Sequence, residues 1–214
     1  MERAAALDRV ESLLDTVESD TMPVPVRELW LYGDAALGLD PVDRLDVYLT
    51  KDILLESDDE AADRFEREYG VKGVGSTVRA EWAEQFPEHL RASENGYAAP
   101  ERCLAAHLTD PDEPIHLEVC NAPFGDNVTQ RLQGALDRDA YEEVLDPRGA
   151  CLWIDGERET ETIEKLRAGE LAFPTLPEAL GMLGADEDEA RAAAEAVQQR
   201  RAEQDGATVR GDVV

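Results

Sequence analysis

Residues 26–50 read VRELWLYGDAALGLDPVDRLDVYLT, and this stretch decides the fold. Its first part, Val26–Tyr32, is rich in strand-forming residues and stops at a glycine. Its last part, Leu45–Thr50, alternates apolar and polar residues, as a half-buried strand does. The connection between them contains two glycines and a proline, which are typical of a turn or loop. We therefore predict two neighbouring strands joined through a glycine-containing turn.

The same spacing rules predict further elements on both sides of this stretch. Apolar residues recur every three or four positions in the predicted helices, which are Glu2–Ser19, Asp58–Tyr69, Pro100–Leu108, Asn127–Leu145, Thr160–Ala168, Leu176–Leu183 and Glu187–Glu203. Two more strands are predicted at Ile115–Cys120 and Ala150–Ile154. A glycine-rich link, Gly70–Ser76, follows the second predicted helix. We predict an α/β or α+β protein with a mixed sheet of about four strands, flanking helices and a helical C-terminal region.

The order of these elements predicts three parts of the chain. Strands and helices are interspersed over residues 1–155, which we predict to be the α/β core. Residues 156–205 contain only predicted helices and form the helical C-terminal region. Residues 206–214 are predicted to be a tail.

The composition is strongly acidic. The 214 residues include 49 aspartates and glutamates against 21 lysines and arginines, giving a formal net charge of -28, and the only lysines are Lys51, Lys72 and Lys165. At about 1 M salt the Debye length is only about 3 Å, so repulsion between surface carboxylates is screened. The negative charge then mainly keeps the surface hydrated. We therefore expect a cytoplasmic protein of a halophile that accumulates salt.

The composition also excludes some partners. No window approaches the roughly 18 consecutive apolar residues that predict a membrane-spanning helix, so we expect no membrane partner. No basic stripe with interleaved aromatic residues is present, so we expect no binding to duplex nucleic acid.

The candidate site begins at the glycine turn. Residues 29–38 read LWLYGDAALG, residues 43–49 read DRLDVYL, and Glu118 lies on the later strand Ile115–Cys120. This pattern resembles the nucleotidyltransferase superfamily related to DNA polymerase beta, and in particular its minimal nucleotidyltransferases. In that family a strand ends in a glycine turn, the next strand carries two carboxylates separated by one residue, and a later strand carries a third. The chain as a whole also resembles conserved haloarchaeal proteins.

The resemblance implies roles for seven residues. Those expected near phosphate are Gly33, Asp34, Gly38 and Arg44, and those expected to be catalytic are Asp43, Asp46 and Glu118. Asp46 and Glu118 are also the implied magnesium ligands, because carboxylate oxygens can hold Mg²⁺ beside the phosphates of a nucleotide. Two positions depart from the family: Asp34 replaces a serine, and Arg44 replaces the first strand carboxylate. Asp43 is one position early and would point away from Asp46 in a regular strand.

We therefore expect a divergent nucleotidyltransferase-like protein that binds a nucleotide or another phosphate-bearing small molecule. Because one carboxylate is missing, activity is left open; an active protein would be a magnesium-dependent nucleotidyltransferase. The ordinary alternative is that the glycines shape a connection and that Asp34 and Asp40 satisfy turn amides. Arg44 would then form a surface ion pair with Asp46 or Asp43. His116 shares the strand face of Glu118, which makes a proton-transfer pair a further hypothesis.

A second hypothesis places the function at the ends of the chain. The amphipathic stretches Glu2–Ser19 and Glu187–Glu203 are long enough to dock on another protein. The chain would then be a non-catalytic acidic cytoplasmic interaction protein of a halophile, with a protein partner bound through its terminal helices.

Overall fold

The structure is a computed structural model that describes residues 1–19, 22, 25–51, 100–110, 112–203 and 206–211. The predicted helix Asp58–Tyr69 and the link Gly70–Ser76 lie outside the described residues. Within the described ranges the chain forms seven α-helices and six strands.

The helices are α1 Arg3–Ser19, α2 Gly33–Ala36, α3 Pro100–Leu108, α4 Phe124–Arg138, α5 Thr160–Ala168, α6 Leu176–Met182 and α7 Glu187–Ala202. The strands are β1 Val26–Tyr32, β2 Leu45–Lys51, β3 Ile115–Cys120, β4 Gly149–Ile154, β5 Glu157–Arg158 and β6 Thr208–Arg210. A 3₁₀-helix, Tyr141–Glu143, lies between α4 and β4. None of the described helices combines the length and the apolar composition needed to cross a membrane.

All six strands belong to one mixed sheet with the order β5-β4-β1-β2-β3-β6. β1 pairs antiparallel with both β2 and β4, whereas β2 and β3 are parallel and β3 and β6 are parallel. The mixed α/β architecture is confirmed.

The prediction of about four strands was too low. The four longer strands coincide with the predicted ones, and the two additional strands are short edge strands. β5 has two residues after the turn at Asp155 and Gly156, and β6 has three residues. Neither is long enough to show an alternating pattern, so sequence periodicity could not identify them. The predicted connection after β1 also contains the single helical turn α2.

One face of the sheet is apolar. Its central side chains are completely or almost completely buried and pack with α1, α3 and α5 in one cluster, whose sheet members include Leu29, Leu31, Leu45, Val47, Leu49, Ile115, Leu117 and Val119. The buried face of α1 supplies Leu7, Val10, Leu13, Leu14 and Val17 to the same cluster. Strict alternation along β1, β2 and β3 produces this face, because successive side chains point to opposite sides of a sheet.

The opposite face carries polar and aromatic residues. Strand pairing aligns Tyr32 with Asp46, Asp46 with His116, and Tyr48 with Glu118, so these side chains form adjacent rows on one face. Phe124 and Val128 of α4 pack on the aromatic part of this face, against Tyr32 and Tyr48. This face contains buried charges in the middle of the sheet.

The C-terminal elements cover the charged part of that face. An Asp186 capping box begins α7, and Ala190, Ala193, Ala194 and Val197 of this helix are buried against α4 and α6. After α7 the chain returns to form β6, which lies within the segment predicted as a tail. The apolar faces of both terminal helices are thus packed inside the chain, and docking of a protein partner on them stays a prediction.

Candidate functional site

Asp46 lies at the centre of the charged face, completely buried on β2. Its two carboxylate oxygens bind different arginines. Arg44 donates from Nε and Nη2 to Oδ1 over 2.8 and 2.5 Å, and Arg201 donates from Nη2 to Oδ2 over 2.8 Å. Burial raises the pKa of the Asp46 carboxyl, and Arg201 and Arg44 oppose this increase. Asp46 therefore joins its own strand to the C-terminal helix α7.

Gly33 allows the first turn to approach this ion pair. It begins α2 with φ of 70°, and a Cβ atom built on it would lie 2.3 Å from Asp46 Oδ2 and 2.8 Å from Arg201 Nη2. The next residue, Asp34, accepts a second bond from Arg201 Nη2 over 2.9 Å. The turn therefore needs glycine both for its left-handed backbone and for the space that the carboxylate and guanidinium occupy.

Glu118 forms a second buried ionic cluster on the neighbouring strand. Its Oε1 lies 3.1 Å from His116 Nε2 and 3.6 Å from Arg210 Nη1, and its Oε2 lies 2.9 Å from Arg131 Nη1. Burial by itself raises the pKa of Glu118, but His116, Arg131 and Arg210 outweigh burial and lower it to about 2. Glu118 is therefore a carboxylate with three cationic or potentially cationic partners.

His116 lies two residues before Glu118 on the same face of β3, and Arg210 reaches Glu118 because β6 pairs in register with β3. His116 is opposite Thr208 and its Nδ1 lies 2.7 Å from Thr208 Oγ1, while Glu118 is opposite Arg210. Arg210 also donates from Nη2 to the Glu143 carbonyl over 3.2 Å. The short edge strand thus places a cation beside a buried carboxylate.

A small cavity lies between the two clusters, and we name it the arginine pocket. It has a volume of about 30 Å³, and its charged and polar lining residues are Tyr32, Arg44, His116, Glu118, Asp146, Arg200, Arg201 and Arg210. Burial, with Asp46 and Glu118 nearby, raises the pKa of the Tyr32 hydroxyl. Ionisable groups with perturbed pKa values around a cavity are typical of functional sites.

A larger cavity adjoins the arginine pocket, and we name it the outer groove. It has a volume of about 480 Å³ and shares Asp146, Val197 and Arg201 with the pocket. Its other lining residues are Asp34, Leu37, Leu39, Arg148, Leu171, Phe173, Pro174, Thr175, Leu176 and Gln198. Asp146 is buried there and accepts from Arg148 Nε and Nη2 over 2.9 and 2.8 Å.

The structure brings together five of the seven predicted residues. Gly33, Asp34, Arg44 and Asp46 surround one ion-pair cluster, and Glu118 lies on the same sheet face in the next one. The other two, Asp43 and Gly38, are exposed. Strand β2 begins only at Leu45, so Asp43 precedes the strand and is not turned toward the buried face. Arg44 pairs with Asp46, but this pair is buried, whereas the ordinary alternative placed it on the surface.

Sequence reasoning missed several members of the site. Arg131, Asp146, Arg148, Arg200, Arg201 and Arg210 were not predicted, although each lines a cavity or pairs with a buried carboxylate. The available signal was the scarcity of cations: in a chain with so few basic residues, an adjacent Arg200 and Arg201 at the end of an alanine-rich helix stands out. Their approach to Asp46 depends on tertiary packing that no local pattern contains.

The carboxylates suit guanidinium groups better than a metal ion. Magnesium needs several oxygen ligands in near-octahedral geometry. Here both oxygens of Asp46 lie within 2.8 Å of guanidinium nitrogens, and those of Glu118 lie 2.9 Å from Arg131 and 3.1 Å from His116. In the part of the chain that the structure describes, no group of three His, Cys, Asp or Glu side chains could hold a metal ion. We derive no step through magnesium, and the magnesium site stays a prediction.

The arrangement concentrates positive charge in an acidic protein. Around the two cavities lie six arginines, which are Arg44, Arg131, Arg148, Arg200, Arg201 and Arg210, against the four acidic residues Asp34, Asp46, Glu118 and Asp146. The whole chain shows the opposite balance. Chemically, such a set of guanidinium donors can bind an anion through directed hydrogen bonds.

Comparison with known proteins identifies a family but supplies no activity. A search of curated proteins and a search of solved structures each find no match. The resemblance to nucleotidyltransferases is not tested by these comparisons and stays a prediction. A family model matches residues 2–214, almost the whole chain, and the chain therefore belongs to that family, described as a family of unknown function (DUF7095).

Proposed function

We propose that the chain binds a phosphate-bearing small molecule at the arginine pocket. The observation that carries this proposal is the convergence of Arg44, Arg200, Arg201 and Arg210 on one cavity in a protein with a formal charge of -28. If 21 basic residues were distributed at random over so acidic a chain, four arginines would not be expected to line one cavity.

Among the described residues, two of these arginines have no carboxylate oxygen within hydrogen-bond distance. The only described hydrogen bond of the Arg200 guanidinium is to the Glu142 carbonyl, 2.7 Å from Nη1, and this side chain forms no ion pair within the described residues. Arg210 has its nearest carboxylate oxygen 3.6 Å away. An incoming anion can therefore bind both guanidinium groups without first breaking a short ion pair.

The electrostatics of Arg210 support the same proposal. Burial lowers the pKa of its guanidinium, and Arg131 and Arg200 lower it further, while Glu118 acts in the opposite direction. A buried cation beside other cations is electrostatically unfavourable unless an anion is close. Phosphate oxygens would supply that negative charge, and the planar guanidinium fork matches their geometry.

The proposal concerns binding and includes no reaction. Nucleotidyl transfer, which the resemblance implies for an active protein, stays a prediction. The carboxylates that would carry it form ion pairs: Asp46 with Arg44 and Arg201, and Glu118 with Arg131. The pocket requires only that the ligand present an anionic group with oxygen acceptors.

The experiment compares the effect of inorganic phosphate on Arg200→Gln and on wild type. Thermal unfolding in molar KCl should show a higher Tm for wild type with phosphate. At ten times Kd the stabilisation is about 1.4 kcal/mol, or about 3 to 5 °C for a chain of this size. Arg200→Gln should lose most of this shift and keep its ligand-free Tm, because the side chain forms no ion pair in the described structure.

The matched control is Arg191→Gln. Arg191 lies on the same helix α7, is exposed and pairs with Glu187 outside both cavities. Its variant should respond to phosphate as wild type does. Phosphate also stabilises proteins by exclusion from their surface, and that contribution should be equal in all three proteins. Equal Tm shifts in wild type and Arg200→Gln would overturn the proposal.

A further inference from the structure

We infer that the ligand is a phosphate ester with an apolar organic part, and that one molecule spans both cavities, its phosphate at the arginine pocket and its organic part in the outer groove. This inference rests on the proposed function and adds the chemical class of the ligand. The reasons are the sizes of the two cavities, the wall that they share and the apolar residues that line one part of the outer groove.

The arginine pocket is too small for a complete ligand. Its volume of about 30 Å³ is about a tenth of that of the smallest known small-molecule sites, roughly 300 Å³. Phosphate oxygens can therefore enter it, but the rest of any ester must lie outside. The adjoining outer groove, with about 480 Å³, falls within the range of known small-molecule sites, roughly 300 to 1,000 Å³.

Arg201 connects the two cavities. It lines both, and its Nη2 is held by Asp34 and Asp46 while its Nε is buried without a hydrogen-bond partner in the described structure. An unsatisfied buried N–H is costly, and an acceptor on a ligand would remove that cost. Arg201 is thus placed to donate to an ester phosphate at the boundary between pocket and groove.

The outer groove is suited to an apolar group. Leu39 is 50% exposed at the groove, and Leu37, Leu171 and Phe173 are only partly buried there. Its charged residues are already paired, Asp146 with Arg148 and Asp34 with Arg201. Binding of a ring or alkyl group would remove apolar surface from water without disturbing an unpaired charge. A free sugar phosphate, with hydroxyl groups in place of apolar surface, would lack this gain.

Titration calorimetry with two probes, phenyl phosphate and inorganic phosphate, tests the inference. Phenyl phosphate should bind wild type roughly tenfold more tightly, because the ring buries apolar surface in the groove. Leu39→Ala and Phe173→Ala should each lose roughly threefold or more of the phenyl phosphate affinity and keep the affinity for inorganic phosphate. Leu39 is half-exposed, so its variant keeps the test valid if Phe173→Ala does not fold.

Ile154→Ala is the matched control. Ile154 is an apolar residue, 37% exposed, at the end of β4, and it lines neither cavity. Its variant should bind both probes as wild type does. Equal affinity of wild type for the two probes, or unchanged phenyl phosphate binding in Leu39→Ala, would overturn the inference and leave the proposed function intact. Failure of both probes to bind would overturn the proposed function itself.

Discussion

The two faces of the central sheet differ in how they are held together. The face toward α1 is a continuous apolar cluster in which β1, β2 and β3 contribute completely or almost completely buried leucines, isoleucine and valines. The opposite face buries Asp46 and Glu118 in ion-pair clusters with arginines from three later elements, α4, α7 and β6. The same strands therefore build both an ordinary core and a charged interior.

This difference indicates that the apolar face mainly stabilises the fold and that the charged face is the candidate for function. Apolar burial stabilises at about 25 cal/mol per Å² and needs no exact partner. Burying carboxylates and guanidinium groups costs desolvation energy that their attraction often only offsets. A well-packed apolar interior could replace the charged one without loss of stability, which makes the charged face a reasonable place to look for a ligand. Three predictions test this comparison by stability measurements.

The largest effect is expected for Asp46→Asn. This change leaves the Arg44 and Arg201 guanidinium groups without their shared carboxylate in a buried site. Removing one partner of a buried ion pair typically costs about 3 to 5 kcal/mol of unfolding free energy. Urea denaturation in molar KCl measures this difference.

The matched control for that prediction is Asp15→Asn on α1. Asp15 pairs with Arg158 at the surface, with 69% of its side chain exposed, so its removal should cost less than about 1 kcal/mol. Equal losses for the two variants would show that the charged face contributes no more to stability than a surface ion pair.

A somewhat smaller effect is expected for Leu49→Ala on the apolar face. Leu49 is completely buried on β2, and removal of such a side chain typically costs about 3 kcal/mol through lost burial and an unfilled cavity. Because the variant leaves the charged face unchanged, the Tm shift caused by phosphate should persist. Thermal unfolding with and without phosphate measures both quantities. Loss of the phosphate response in Leu49→Ala would mean that the two faces are not independent.

The smallest effect is a pH dependence that belongs to Glu118. Its pKa is about 2 in the folded chain and higher, about 4.5, in a free carboxyl group. The ionised Glu118 therefore adds stability above about pH 4.5, and this stability is lost as the pH falls toward 2. Between about pH 6 and pH 3 the loss should be about 2 kcal/mol.

Glu118→Gln isolates this contribution from the many other carboxylates. The variant should be less stable than wild type at neutral pH, yet its unfolding free energy should fall by about 2 kcal/mol less between about pH 6 and pH 3. Urea denaturation at a series of pH values measures both curves. Parallel curves would show that the partners of Glu118 do not stabilise its ionised form.

The longer elements of the fold could be predicted from sequence because their patterns are local. Alternation identified β2 and β3, and runs of strand-forming or apolar residues identified β1 and β4. The spacing of Leu7, Val10 and Leu14 identified α1. The start of β2 at Leu45 was predicted, whereas the burial of the Arg44 side chain against Asp46 needed the structure. The two-residue β5 and three-residue β6 are too short for any periodic signal.

The candidate site could be predicted only in part. The spacing of Asp46 within β2 and of His116 and Glu118 within β3 placed these side chains on known strand faces. That Asp46 and Glu118 share one face follows from the pairing register, which the sequence did not contain. Apart from Arg44, the cations that define the site come from residues 131–210, and their spacing along the chain carries no local signal of convergence.

The amino-acid sequence was sufficient to establish the acidic composition, the four longer strands, the amphipathic helices and the glycine-containing turn that begins at Gly33. These follow from composition and from periodicities of two and 3.6 residues, which act over a few neighbouring positions. Only the tertiary structure decided that Arg44, Arg200, Arg201 and Arg210 surround one pocket and that β6 completes the sheet beside Glu118. The reason is that such contacts join residues 92 and 155 positions apart, and packing of the whole chain, rather than any local preference, brings them together.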